Sequence, residues 1–231
     1  MSAESKSFPE VLPFPSATRK SAQDVRRRAL WLQVATVYSA ILIACWTPEG
    51  PLKAGLMLLT TCAIAILALS SRYTAKEMGL GKPPLPGSLL ILACGLLFAL
   101  SLPLIASVAG LRFPPIRVVP WHAAWQYAVW ALMQQFALQS FFYLRVETLV
   151  GSRRAVYLTA LLFAIIHLPN PVLTVATLAG GLFFCEMFRR YRTIIPLGLV
   201  HALLGLTIAA SFSDHLLHHM RVGIGFLAFH P

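Results

Sequence analysis

Residues 88–110 read SLLILACGLLFALSLPLIASVAG, 23 positions without one Asp, Glu, Lys or Arg. At 1.5 Å of rise per residue, a helix of that length is roughly 35 Å long, enough to cross about 30 Å of hydrocarbon. The stretch shows no period-two alternation, and in lipid each backbone N–H and C=O must be satisfied within the segment. It is therefore read as a membrane-spanning helix.

Working outward, six further apolar segments flank it, at about 29–46, 54–70, 122–144, 155–168, 171–188 and 194–212. The two around 155–188 are short and meet at Leu168-Pro169-Asn170-Pro171, which predicts a tight helical hairpin. The expected fold is all-α: a polytopic bundle of about seven transmembrane helices. Composition agrees, with 58% apolar and 12% charged residues among 231 and a mean hydropathy of +0.72. Soluble domains carry about twice that share of charge, so disorder, a disulfide scaffold and an ordinary soluble enzyme are disfavoured. Cys45, Cys62, Cys94 and Cys185 lie within the apolar runs and read as small buried hydrophobes.

The formal charge of +11 would suggest nucleic acid on a soluble protein. Here the cations sit between the apolar segments. With the N-terminus cytoplasmic, 15 of the 19 Lys and Arg fall on the cytoplasmic side, including Arg26–Arg28, Arg72, Lys76, Lys82, Arg145, Arg153, Arg154 and Arg189–Arg192. Lys53, Arg112, Arg117 and Arg221 remain outside. The basic charge is thus read as topology, with no nucleic-acid partner: a multi-pass protein of a bacterial plasma membrane, C-terminus outside.

Three regions follow: a polar, poorly ordered cytoplasmic segment 1–28, a transmembrane domain 29–212 and a His-containing tail 213–231. Arg26-Arg27-Arg28 before an apolar run resembles an uncleaved signal anchor. Leu42-Ile43-Ala44-Cys45 matches a lipobox, which would acylate Cys45; the plainer reading is a membrane-buried thiol.

Polar groups inside membrane helices are functional candidates by default. The fourth segment carries His122, Gln126, Gln134, Gln135, Gln139 and Ser140. At 100° per residue, Gln134, Gln135 and Gln139 share an arc of about 140° and would face the bundle interior. The fifth adds His167, one turn after Phe163, and the seventh adds His201. Interhelical hydrogen-bond glue is the plainer account of such residues. A buried site is the other.

The run Gln134-Gln135-Phe136-Ala137-Leu138-Gln139, then Phe163-Ala164-Ile165-Ile166-His167, then His201-Ala202-Leu203-Leu204-Gly205 resembles the three motifs of the CPBP family of intramembrane proteases. Those motifs are EExxxR, FxxxH and HxxxN, and Arg192–Pro196 resembles the approach to the third. The resemblance implies a four-helix core over about 120–212 and an endopeptidase acting on membrane-embedded or prenylated peptides. By resemblance, Gln134 stands at the water-activating Glu, Gln135 at the second Glu and Gln139 at the Arg. His167 keeps the water-activating position, His201 keeps an oxyanion donor, and Gly205 replaces the Asn.

An amide takes no proton near neutral pH, so Gln134 cannot serve as a general base. Losing both Glu and the Arg together keeps a buried site neutral, which is internally consistent. Two outcomes are open: hydrolysis with His167 as the base, or an inert scaffold that binds a membrane segment, prenylated peptide or lipid. Glu186 is a substitute carboxylate, although Arg189 and Arg190 follow it at ion-pair spacing. In the tail, Asp214-His215-Leu216-Leu217-His218-His219 places His215, His218 and His219 on neighbouring turns of an expected helix, a weak divalent-metal motif. It resembles one histidine box of membrane desaturases, which need several such boxes. An amphipathic interfacial segment is the plainer reading. No GxGxxG or P-loop is present, and no cofactor is expected beyond such a metal.

Overall fold

A computed structural model describes residues 16–111 and 119–229. The long helices, in chain order, are α1 (Ser16–Trp46), α2 (Pro51–Leu69), α3 (Leu85–Val108), α4 (Trp121–Gln135), α5 (Leu144–Val150), α6 (Ser152–Ile165), α7 (Pro171–Tyr191) and α8 (Ile195–Ser211). A π-helical segment, Phe136–Tyr143, joins α4 to α5, so residues 121–150 form one continuous helical column. The tail adds two short helices, α9 (Asp214–Leu217) and α10 (Ile224–Leu227). Among the described residues there is no strand. All seven apolar segments are helical, and the chain is a membrane protein.

Among the described residues, four helices are long and apolar enough to cross a membrane: α1 over Ser21–Trp46, α2, α3 and α7, with α8 as a shorter apolar helix. α1 begins at Ser16, inside the segment expected to be poorly ordered. Ala, Gln and Arg are good helix formers and continue the apolar helix backwards. Residues 1–15 lie outside the described residues. The Pro-Asn-Pro turn does make the expected hairpin: α6 packs along α7, and the Asn170 side chain caps α7 by accepting from Leu173 N at 3.1 Å, with Pro171 at the first helical position.

α8 lies between α3 and α4, and small residues set the approach. A Cβ on Gly198 would fall against Leu132, with its Cγ at 2.9 Å, and one on Gly95 would fall against Val200. Such glycines let backbones close where lipid supplies no hydrophobic drive for helix association.

The two ends of the bundle are tied separately. At one end Arg27 donates to Leu149 O, Tyr73 to Leu144 O and Ile194 N to Gly79 O. Arg192 there pairs with Glu147 at 2.6 Å. At the other end Asn170 Nδ2 donates to Leu217 O and Arg221 O, and Gly223 N donates to Leu168 O. The tail is therefore strapped over the α6–α7 turn.

Candidate functional site

The column 121–150 passes through the bundle, and its middle is enclosed. Residues 138–146 are all buried, nine in succession, so this stretch is enclosed on every side. An amphipathic surface helix would bury only a stripe. The π-helical segment falls across these residues and includes Gln139; such widenings of a helix recur at functional sites. Ser140 is held by donating to Met78 O at 2.7 Å.

Gln135 and Gln139 are wholly buried and form a string that ends on α8. Gln139 Nε2 donates to Gln135 Oε1 at 3.2 Å, and Gln135 Nε2 lies 3.1 Å from His201 Nδ1. Because Gln135 Oε1 is the acceptor for Gln139, its amide nitrogen faces the imidazole and donates. This orientation assigns the proton of neutral His201 to Nε2. Reversing both amides would leave a buried NH₂ without an acceptor where Gln139 Oε1 now lies unpaired. An orphaned carbonyl is the better tolerated of the two.

His167 is fixed the other way round. Its Nδ1 is 2.8 Å from the Phe163 carbonyl oxygen. A carbonyl only accepts, so Nδ1 carries the proton and Nε2 keeps its lone pair. The Phe163 ring lies edge-on to both imidazoles, with centroids 4.9 Å from His167 and 5.8 Å from His201. One aromatic ring thus contacts both histidines.

Both histidines line a cavity of about 1030 Å³, as does Gln134. The wall is mostly aliphatic and aromatic, from Ile64, Phe98, Leu102, Phe136 and Phe183 among others. The site candidates fall in two groups: Gln134, His167 and His201 border the same cavity, and Gln135 and Gln139 form the buried string that ends on His201. The residue that holds His201 is Gln135, while Gln134 is half-buried on the open side.

Other sequence candidates go elsewhere. His122 and Gln126 are exposed on α4, away from the interior. The Glu186 carboxylate is taken by Arg189 Nε at 2.7 Å and Arg190 Nε at 2.5 Å, as the spacing suggested. It is therefore not a replacement base. Cys45 is buried at the end of α1, where Gly223 packs on its backbone carbonyl.

The expected helical His cluster in the tail is corrected. His218, His219 and Met220 all have positive φ, so the helix stops at Leu217 and the imidazoles diverge. His218 stacks on Phe226 with centroids 4.1 Å apart, His219 lies 3.1 Å from Asp214, and His215 is exposed. Among the described residues no group of three His, Cys, Asp or Glu is placed to hold a metal.

Two residues were not singled out from the sequence. Arg145, counted there as a topological charge, is only 1% exposed. It donates to Gln33 Oε1 at 2.8 Å, Phe141 O at 3.2 Å and Leu67 O at 2.7 Å, and its guanidinium lies 3.9 Å from the Phe141 ring centre. Its flanks, Phe141–Leu144 and Val146, were the available signal of burial. Tyr127 also lines the cavity. A Cβ on Gly205 would clash with its hydroxyl, with ring Cζ at 2.5 Å and Cε1 at 2.6 Å. Tyr127 lies seven residues before Gln134, on the same face of α4.

Residues 116–207 match the family described as type II CAAX prenyl endopeptidase Rce1-like. The match covers the column 121–150, α6, α7 and most of α8. No curated protein and no solved structure matches the chain.

Proposed function

Starting from the likeness of residues 116–207 to type II CAAX prenyl endopeptidases, we propose that this membrane protein is a peptidase of membrane-embedded or prenylated peptides, with a neutral histidine–glutamine site in place of the carboxylates. The observation that carries the reading is the pair of hydrogen bonds, His167 Nδ1 to the Phe163 carbonyl and Gln135 Nε2 to His201 Nδ1, which assign the two histidines opposite tautomers. His167 offers a lone pair at Nε2, and His201 offers an N–H.

In this reading Gln134 holds a water by hydrogen bonding and takes no proton. His167 Nε2 accepts a proton from that water as its oxygen bonds to the substrate carbonyl carbon. The carbonyl π electrons move to oxygen, and His201 Nε2–H donates to the resulting oxyanion. Collapse breaks the C–N bond, and the imidazolium of His167 returns the proton to the leaving amine. Positioned acid–base help is worth about 10²–10⁴-fold and an oxyanion donor about 10²–10³-fold. The apolar cavity suits a lipid-like chain beside the peptide, so membrane lipid and a membrane-associated peptide are the proposed partners. The charge bias proposes a bacterial-type plasma membrane, with the N-terminus cytoplasmic and the tail outside.

A second reading, an inert scaffold that binds the same ligands, is favoured by one observation. Glu186 is held by arginines, and Glu49 on the cavity wall is paired with Lys53 at 2.6 Å, so neither carboxylate stands in for the missing base. The test uses the full chain in proteoliposomes with an internally quenched farnesylated peptide. Turnover that disappears in His167→Ala supports the peptidase. Turnover only after Gln134→Glu, alone or with Gln135→Glu and Gln139→Arg, supports the scaffold.

A further inference from the structure

We propose that the Tyr127 hydroxyl is the second oxyanion donor of this site, supplied from α4 where α8 has only Gly205. The inference rests on the peptidase reading above.

Gly205 lies four residues after His201, one helical turn along the same face of α8. A side chain there would emerge beside His201 at the cavity. None does, and the space is filled: the Tyr127 hydroxyl oxygen lies within clashing distance of where that Cβ would be, with the phenol ring packed behind it. The phenol crosses from α4 to α8 and brings an O–H to the spot from which residue 205 would otherwise have reached. Glycine is required because any larger residue would displace the ring.

The donor is also available. Tyr127 borders the same cavity as His167, His201 and Gln134, and its hydroxyl makes no hydrogen bond to another described residue. Gln135 holds His201 from behind, on the column that carries Tyr127 two helical turns earlier. One rigid element therefore positions both donors. In the reaction, His201 Nε2–H and Tyr127 O–H each donate a hydrogen bond to the oxygen that receives the carbonyl electrons. Neither gives up its proton, so the proton balance through His167 is unchanged.

The experiment uses the full chain and the quenched farnesylated peptide, together with a phosphinate analogue whose tetrahedral phosphorus replaces the scissile amide. Tyr127→Phe removes one oxygen and no hydrogen bond within the described fold, and its melting temperature checks that folding is kept. The expected result is a fall in kcat of about 10²-fold with KM nearly unchanged, and a matching loss of affinity for the phosphinate but not for the uncleaved peptide. Tyr127→Leu combined with Gly205→Asn should recover part of kcat, because an amide then reaches the same oxygen. An unchanged kcat in a folded Tyr127→Phe overturns the proposal. If the native chain turns over nothing, the phosphinate decides. Preference for phosphinate over peptide that vanishes in Tyr127→Phe keeps the donor while the peptidase reading fails, and no preference overturns both.

Discussion

The link between Gln135 and His201 sets the tautomer on which the proposed chemistry depends, and its strength can be measured. Gln135→Leu keeps the volume and removes the amide. Two hydrogen bonds are lost, to His201 Nδ1 and from Gln139 Nε2, and both partners stay buried. Each orphaned group costs about 1–3 kcal/mol in a soluble core. Interhelical hydrogen bonds in membranes average nearer 0.6 kcal/mol, because the unfolded chain in lipid also finds partners. The lower end applies, so Gln135→Leu should cost about 2 kcal/mol. His201→Leu should cost a similar amount, and the double variant should cost about 1 kcal/mol less than the sum, since no orphan is left between them. The assay is equilibrium unfolding of the full chain in bicelles, with all four members of the cycle under one condition. A coupling energy below about 0.5 kcal/mol, the ordinary error of additivity, would refute the contact and with it the tautomer assignment of His201.

Helix approach and tail docking give two further expectations. Gly198→Ala should destabilise the bundle by about 1–3 kcal/mol, because its Cβ meets Leu132. Gly55→Ala, with nothing within 4 Å, should stabilise α2 by about 0.5–1 kcal/mol; thermal unfolding that ranks the two variants the other way contradicts the packing. Asn170→Ala removes the α7 cap and both hydrogen bonds to the tail, so limited proteolysis within residues 212–229 should accelerate at least several-fold. Equal cleavage rates would mean that the Gly223–Leu168 backbone hydrogen bond and apolar contacts suffice to hold the tail.

Membrane location and the helical state of the apolar segments were legible in the sequence for a local reason. A helix in lipid satisfies its own backbone, so composition within each segment decides its state without reference to the rest of the chain. The hairpin at Leu168–Pro171 was legible likewise, since Asn and Pro act on their immediate neighbours. The site was legible as a set of residues, because costly polar groups in apolar helices identify themselves. Its wiring was not. Helical periodicity put Gln134, Gln135 and Gln139 on one face, but only the packing of α4 against α8 decided that Gln135 holds His201 while Gln134 faces the cavity.

The same limit applied to Arg145, which reads as a loop charge until three elements are seen to close over it with carbonyls as partners. It applied again at Gly205, where the sequence records a missing side chain and the fold fills the space with a phenol from 78 positions earlier. In the tail, a His spacing that suits a helix came apart because positive φ at three successive residues ended the helix. Local sequence determined which segments are helices and which polar groups they carry. Tertiary packing determined which of those groups meet, because contacts between helices depend on approach distances and rotations that residues within one segment do not control.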